Sequence, residues 1–375
     1  MDSGSTRPQR KIAQISIKRP QLISALEAIS SGRTDLPLGE LDARTVAWAI
    51  QSGLGPLLYR AVYQNPQSSM SSHWSSLKAA DLTARIVMAE HFEAVGEVID
   101  ACGRSVPSLT LLKGISISEE CYPEPHLRLM RDVDVLIEKE SLSMVKTTLQ
   151  QLGYRQRSEG AAHYRTHHHA EPFFHEEKQV WVEVHHALFS PHRRAASAWV
   201  SSPQNIAAQL RPSRFQGREV RRLSLELQII YLAAHWAQDF APVGGLVALA
   251  DTIYLLKHAG DELSWEWVLR AVYRSLPATY LYLLLSYLKR YDLVEIAPEI
   301  MRELSLSQRS FGNLGLKTTH NMIDRYFMAP TRFGPILSER TVASMWRTLI
   351  LPGPIVPKLM LIPLNLSLPQ YCRIQ

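Results

Sequence analysis

Cysteine is scarce. The 375-residue chain holds three, Cys102, Cys121 and Cys372, which make neither a CxxC pair nor an even-numbered framework. A disulfide scaffold is excluded, and a reducing compartment, the cytoplasm, is the expected location. An uninterrupted apolar run is lacking too. The stretch 349–368 comes nearest, but Pro352, Pro354, Pro357 and Pro363 break it, and backbone groups freed by proline are costly inside lipid. We expect a tail packed on the protein surface and no transmembrane segment. The first ten residues, MDSGSTRPQR, are polar and carry no signal-peptide-like apolar stretch. Internal repeats and low-complexity tracts are absent. Nor is charge of one sign in strong excess: 41 Lys and Arg against 35 Asp and Glu give +6 with neutral histidine. That balance suits phosphate-bearing ligands without demanding nucleic acid, so no stable nucleic-acid partner is expected.

What is present is ordinary globular composition, 46% apolar and 20% charged, in a chain long enough for two domains. Residues 1–18 are expected to be disordered. Residues 19–104 read as helical, with Leu22, Leu26 and Ile29 and then Val46, Ile50 and Leu54 at helical spacing. A long amphipathic run from Trp74 to Ala101 then stops at Gly103. From 105 to 200 the period changes. Leu109–Leu112 predicts a short strand, Ile115–Cys121 a helix, Arg131–Ile137 a strand, Glu140–Leu152 a helix and 179–186 an alternating strand. The arginine-rich stretch 201–222 is expected as a basic linker, 223–330 as a helical domain and 331–375 as a Pro-rich hydrophobic tail. The fold class is therefore α+β with an α/β-like core.

The chemistry concentrates in the strand LRLMRDVDVLI, residues 127–137. Side chains at i and i+2 leave the same face of a strand, so Asp132 and Asp134 stand side by side. Two close carboxylates need a counter-charge. On the later strand Val180, Val182 and Val184 take one face, and Trp181, Glu183 and His185 the other. Three acids from two strands are what a two-cation site requires. Hard ions such as Mg2+ or Mn2+ prefer oxygen ligands, and a pair of them can clamp phosphoryl or nucleotidyl transfer. On this reading Asp132 and Asp134 hold metal and triphosphate, and Glu183 completes the site as ligand or base. Lys113-Gly114 joins a strand to a helix, where free N–H groups and glycine suit a phosphate. Arg128 and Arg131 add positive charge beside the acids.

The set Leu111-Leu112-Lys113-Gly114, Tyr122-Pro123, Arg128-x-x-x-Asp132-x-Asp134-x-Leu136-Ile137 and Val182-Glu183-Val184-His185 resembles the poorly characterised bacterial nucleotidyltransferase family of the polymerase-β-like superfamily. The resemblance spans about residues 20–330 and is specific over 111–185. It implies a small mixed-sheet core flanked by helical segments. It further implies Mg2+ or Mn2+, an NTP with ATP as the default, and transfer of NMP to a hydroxyl or phosphate on a small molecule, sugar, peptide or protein. Catalytic and metal roles fall on Asp132, Asp134 and Glu183, and nucleotide contacts on Lys113, Gly114, Ser116, Arg128, Arg131 and His185. Two departures stand out. The superfamily's Gly-Ser turn is here Lys113-Gly114 followed by Ile115-Ser116, and its third acid, usually Asp, is Glu183.

Alternatives remain at this level. His163, His167, His168, His169, His175, His185 and His186 crowd one region, and such a cluster could mark a metallohydrolase. Because His167, His168 and His169 are adjacent, their rings are expected to diverge along a strand edge or loop, with His169 or His185 nearest the cleft. A non-catalytic NTP- or anion-binding protein of the same fold is the third reading. His235 and Asp251 are expected to join two helices through a buried hydrogen bond.

Overall fold

The computed structural model describes residues 20–38, 41–103, 106, 109–156, 164, 167–189, 202–238, 242–308, 310–328 and 339–350. The N-terminal segment 1–18, His163, and most of the Pro-rich tail lie outside the described residues.

Three short helices begin the chain: α1 (Leu22–Ser31), α2 (Ala43–Gln51) and α3 (Gly55–Val62). Asp42 sets the start of α2, its side chain accepting the Thr45 N–H at 2.8 Å. The long helix α4 (Trp74–Cys102) follows and ends at Gly103, whose φ of 50° is open to glycine. Then come β1 (Thr110–Leu111), α5 (Lys113–Cys121), β2 (Asp132–Leu136), α6 (Leu142–Gln151), β3 (Arg155–Gln156), β4 (Phe173–His175) and β5 (Val180–His185). β1, α5, β2, α6 and β5 are the predicted core elements, shifted by a few residues at their ends, and β3 and β4 are two further short strands.

The sheet is larger than the sequence suggests. Its seven strands run in the order β3-β4-β5-β2-β1-β7-β6, because the stretch expected as a linker is α7 (Pro203–Ala208) followed by the hairpin β6 (Leu210–Phe215) and β7 (Arg218–Leu223). Gln216 and Gly217, with φ of 47° and 83°, make the two-residue turn between them. β7 pairs parallel with β1, setting Leu111 against Arg222. Arg211, Arg218 and Arg222 of this segment therefore act as ties, while Arg214 stays exposed. Arg222, 1% exposed, bonds the Ser116 carbonyl at 2.7 Å and Glu119 at 2.5 Å on α5. Arg218 reaches Asp100 on α4, and Arg211 pairs with Glu120. The charge pattern alone could not separate a linker from a strand whose arginines pair with acids on neighbouring helices.

The sheet has two chemically distinct faces. Val133 and Val135 of β2, with Val180, Val182 and Val184 of β5, share a buried cluster with Val95, Val98 and Ile99 of α4 and Val145 and Leu149 of α6. The opposite face carries Asp132, Asp134, Glu183 and His185 toward the helical body. That body comprises α8 (Leu225–Gln238), α9 (Pro242–Ala259), α10 (Trp265–Val272), α11 (Leu276–Arg290), α12 (Pro298–Ser307), α13 (Asn313–Tyr326) and α14 (Glu339–Ile350). Residues of α1–α3 and α8–α14 belong to one apolar cluster, so the N-terminal helices and the C-terminal helical region share a core instead of forming separate bodies. α14, inside the segment expected as tail, is part of it: Trp346 is fully buried, meets Trp236 edge-on at 5.5 Å and donates to the Ala237 carbonyl at 2.8 Å. Among the described residues no helix is long and apolar enough to cross a membrane.

Candidate active site

β2 and β5 lie side by side in parallel, in a register that sets Asp132 against Trp181, Asp134 against Glu183 and Leu136 against His185. The valines on the α4 face fix both strands, and alternation then delivers the acids to the other side. The chain enters this face from β1 through Lys113, whose φ is 47°. A left-handed lysine is an unfavourable conformation, on the order of 1 kcal/mol or more. It is the backbone outlier of the site, and it places the lysine at the head of α5. Its Nζ lies 2.7 Å from Asp134 Oδ1, and His185 Nε2 lies 2.8 Å from the same oxygen. His185, 1% exposed, also approaches Glu183 Oε2 at 3.6 Å.

These contacts split the acids electrostatically. Burial raises the Asp134 pKa, but Lys113 and His185 outweigh it and hold the carboxyl well below its usual range. Glu183 is likewise lowered, burial being overcome by His185. Lys113 and His185 are both raised, burial being overcome by their acidic neighbours. Asp132 goes the other way. Burial, then the charges of Asp134 and Glu183, push its carboxyl up to about 6. It has no hydrogen bond or ion pair among the described residues. The counter-charge that two adjacent carboxylates require is thus in direct contact with Asp134 through Lys113, whereas Lys113 and Arg128 act on Asp132 only at a distance.

That imbalance is the test of whether the site suits a cation. Three carboxylates share the face, one of them, the half-buried Asp132, without a hydrogen bond or ion pair among the described residues, and ligand atoms of Asp134, Glu183 and His185 lie within 4.8 Å of one another. An oxygen-rich set of this kind fits a hard divalent ion. One result expected of the metal-free protein follows by linkage. Asp132 has a folded pKa of about 6 against an ordinary 3.8, so its unfavourable contribution is absent below pH 4 and complete above pH 6. Asp132→Asn removes the charge. Its thermal stability in EDTA at pH 7.5 should exceed that of the unaltered protein by about 1–3 kcal/mol, and the gain should vanish near pH 4. A loss of stability at pH 7.5 refutes this.

The other expected site residues are placed as follows. Arg128 is tied to Asp251 by Nε–Oδ1 at 2.8 Å and Nη2–Oδ2 at 3.0 Å, while Tyr122 donates to the same Asp251 at 2.7 Å. Asp251 is therefore bound to the core by Arg128 and Tyr122. The expected bond to His235 is not formed, since His235 is exposed on α8. Gly114 serves this pair: a Cβ there would stand 3.2 Å from the Arg128 guanidinium carbon, so the glycine admits an arginine over the helix start. Ser116 is 2% exposed and does not line the cleft. Arg131 is exposed at its rim. The histidines converge more than adjacency in sequence predicts. His169 bridges antiparallel to His185, and ligand atoms of His167, His168 and His169 lie within 4.8 Å of one another. The backbone bend at 167–168 turns the rings together, an arrangement that strand-like alternation does not anticipate.

Between the acidic face and the helical body lies a cleft of about 670 Å3, the size of a small-ligand site. Its helical wall comes from α8 and α9 and includes Gln228, Tyr231, Leu232 and Trp236. In the sequence these looked like helix-core residues, and their spacing offers no sign that one stripe faces a cavity. Tyr122 did carry a signal, since Tyr122-Pro123 is part of the recognisable set. Neither the curated proteins nor the solved structures yield a match to this chain. The family model of the uncharacterised nucleotidyltransferases matches residues 42–291, covering the strands, the acids and the helical wall together, and the chain belongs to that family.

Proposed function

We propose that the protein transfers an NMP group from an NTP, with ATP as the default, to a hydroxyl or phosphate acceptor and releases pyrophosphate. The observation that carries this reading is the parallel register that sets Glu183 beside Asp134, with Lys113 of the strand-to-helix turn on the same carboxylate. Lys113 and the free N–H groups at the head of α5 bind the triphosphate. Asp132, Asp134 and Glu183 would hold Mg2+ or Mn2+, which when bound supplies charge neutralisation at the reacting phosphate. His185, through Asp134 and Glu183, fixes the orientation of two acids. The acceptor oxygen forms its bond to the α-phosphorus as the bond to pyrophosphate breaks, and Glu183 takes the acceptor's proton. Membership in a nucleotidyltransferase family supports the transfer.

The experiment is incubation with α-labelled and, separately, γ-labelled NTPs, Mg2+ or Mn2+ and a cell extract as acceptor source. Label from the α position is expected to enter an acceptor, and γ-label to appear only as pyrophosphate. Transfer of γ-label instead would overturn the proposal in favour of a kinase. The histidine convergence favours a second reading, a metallohydrolase centred on residues 163–186. Stoichiometric zinc in the purified protein, with no label transfer, selects it.

A further inference from the structure

Gln228 lies in the first turn of α8. Its backbone N–H donates to the Ser224 carbonyl at 2.8 Å, and the Ser224 hydroxyl accepts from Leu227 N–H at 3.3 Å, so the helix start that carries it is held in place. The residue is 4% exposed and lines the cleft. Both ends of its carboxamide, Oε1 and Nε2, are buried without a hydrogen-bond partner. An amide left this way carries the full desolvation penalty of both groups, a large cost for a position where leucine or methionine would pack. A carboxamide offers one acceptor and one donor in a plane. The ligand that satisfies both presents the complementary pair on a planar edge, as nucleobases do; glutamine and asparagine read adenine in this bidentate way.

The surroundings agree. Tyr231, one turn further along α8, lines the same cleft as Lys113 and Gly114, so this wall reaches the phosphate end of the site. Phe189 meets Tyr231 edge-on at 5.7 Å, and Leu232 continues the same lining, which gives an apolar flank for a flat ring. We infer that Gln228 is the base-reading residue of the nucleotide site, its buried carboxamide pairing with the hydrogen-bonding edge of the NTP base. This rests on the nucleotidyltransferase reading above.

The test measures binding to the full-length protein, with Mg2+, of the four α,β-methylene nucleoside triphosphates and of inorganic tripolyphosphate, which has no base. Gln228→Met keeps the shape and removes the paired polar edge. It is expected to weaken the preferred nucleotide about tenfold or more and to leave tripolyphosphate unchanged. Gln228→Glu offers acceptors alone and is expected to shift preference toward guanine, whose N1 and N2 groups are adjacent donors. Equal weakening of nucleotide and tripolyphosphate means a structural role and overturns the inference, as does unchanged affinity in both variants. Failure of every nucleotide to bind the unaltered protein overturns the nucleotidyltransferase reading itself, and this inference with it.

Discussion

Asp134→Asn is expected to reduce nucleotidyl transfer by roughly a thousandfold, the scale of losing a preorganised electrostatic group in a dry site. Asp134 is the carboxylate on which the site converges: Lys113 and His185 both bond its Oδ1, at 2.7 and 2.8 Å. Asparagine keeps the size but removes the charge and can turn an NH2 toward two donors. Lys113 is then a half-buried ammonium without its partner, so its position at the head of α5 is also lost. The measurement is transfer of α-label under saturating NTP and Mg2+, with circular dichroism confirming the fold. Arg131→Gln, at the exposed rim, is the comparison and should change the rate by less than about tenfold, since a solvated charge contributes little. More than a tenth of the activity remaining in Asp134→Asn would remove this residue from the mechanism.

Asp251→Ala should be among the most destabilising single changes near the cleft, costing about 3–5 kcal/mol. The pair it breaks is buried: Asp251 is 1% exposed, and it accepts two bonds from Arg128 and one from Tyr122. Removing the acid strands a guanidinium above the start of α5, in the space that Gly114 leaves open. A fall in melting temperature of roughly 5 °C is expected by calorimetry. Tyr122→Phe loses one of the three bonds and should cost only about 1 kcal/mol. Replacing both partners, Arg128→Met with Asp251→Leu, should recover much of the loss, because desolvation of the ion pair disappears along with its attraction. If the double replacement is as damaged as Asp251→Ala, the stranded charge is not the cause.

The contacts behind these two expectations separate residues that the sequence grouped together. Arg128 was expected at the phosphates, yet its guanidinium is committed to Asp251 and the Leu129 carbonyl at 2.8 Å, so it braces the turn beneath the site. Ser116 was expected there as well and is buried on α5. Asp132, Asp134, Glu183, Lys113 and His185 do meet at one place. The difference has a physical origin. A pair of acids two residues apart on a strand must share a face, and a register that sets two valine runs on one side forces Glu183 to the other. No such period governs an arginine in an irregular segment, whose long side chain turns to whichever buried carboxylate lies within reach.

The sequence by itself determined the α+β class, the strand-helix-strand-helix order of the core, and the identity of the acidic set, because each depends on local periodicity and alternation. Only the tertiary structure decided that residues 210–223 are sheet strands, three of whose arginines pair with acids of α4 and α5, and that the first helices share a core with the last. It alone decided that Asp134 is in contact with a counter-charge while Asp132 is not, and that Gln228 lines a cavity. Each of these depends on contacts between residues far apart in the chain, and no spacing rule encodes which charge or which cavity a folded neighbour will present.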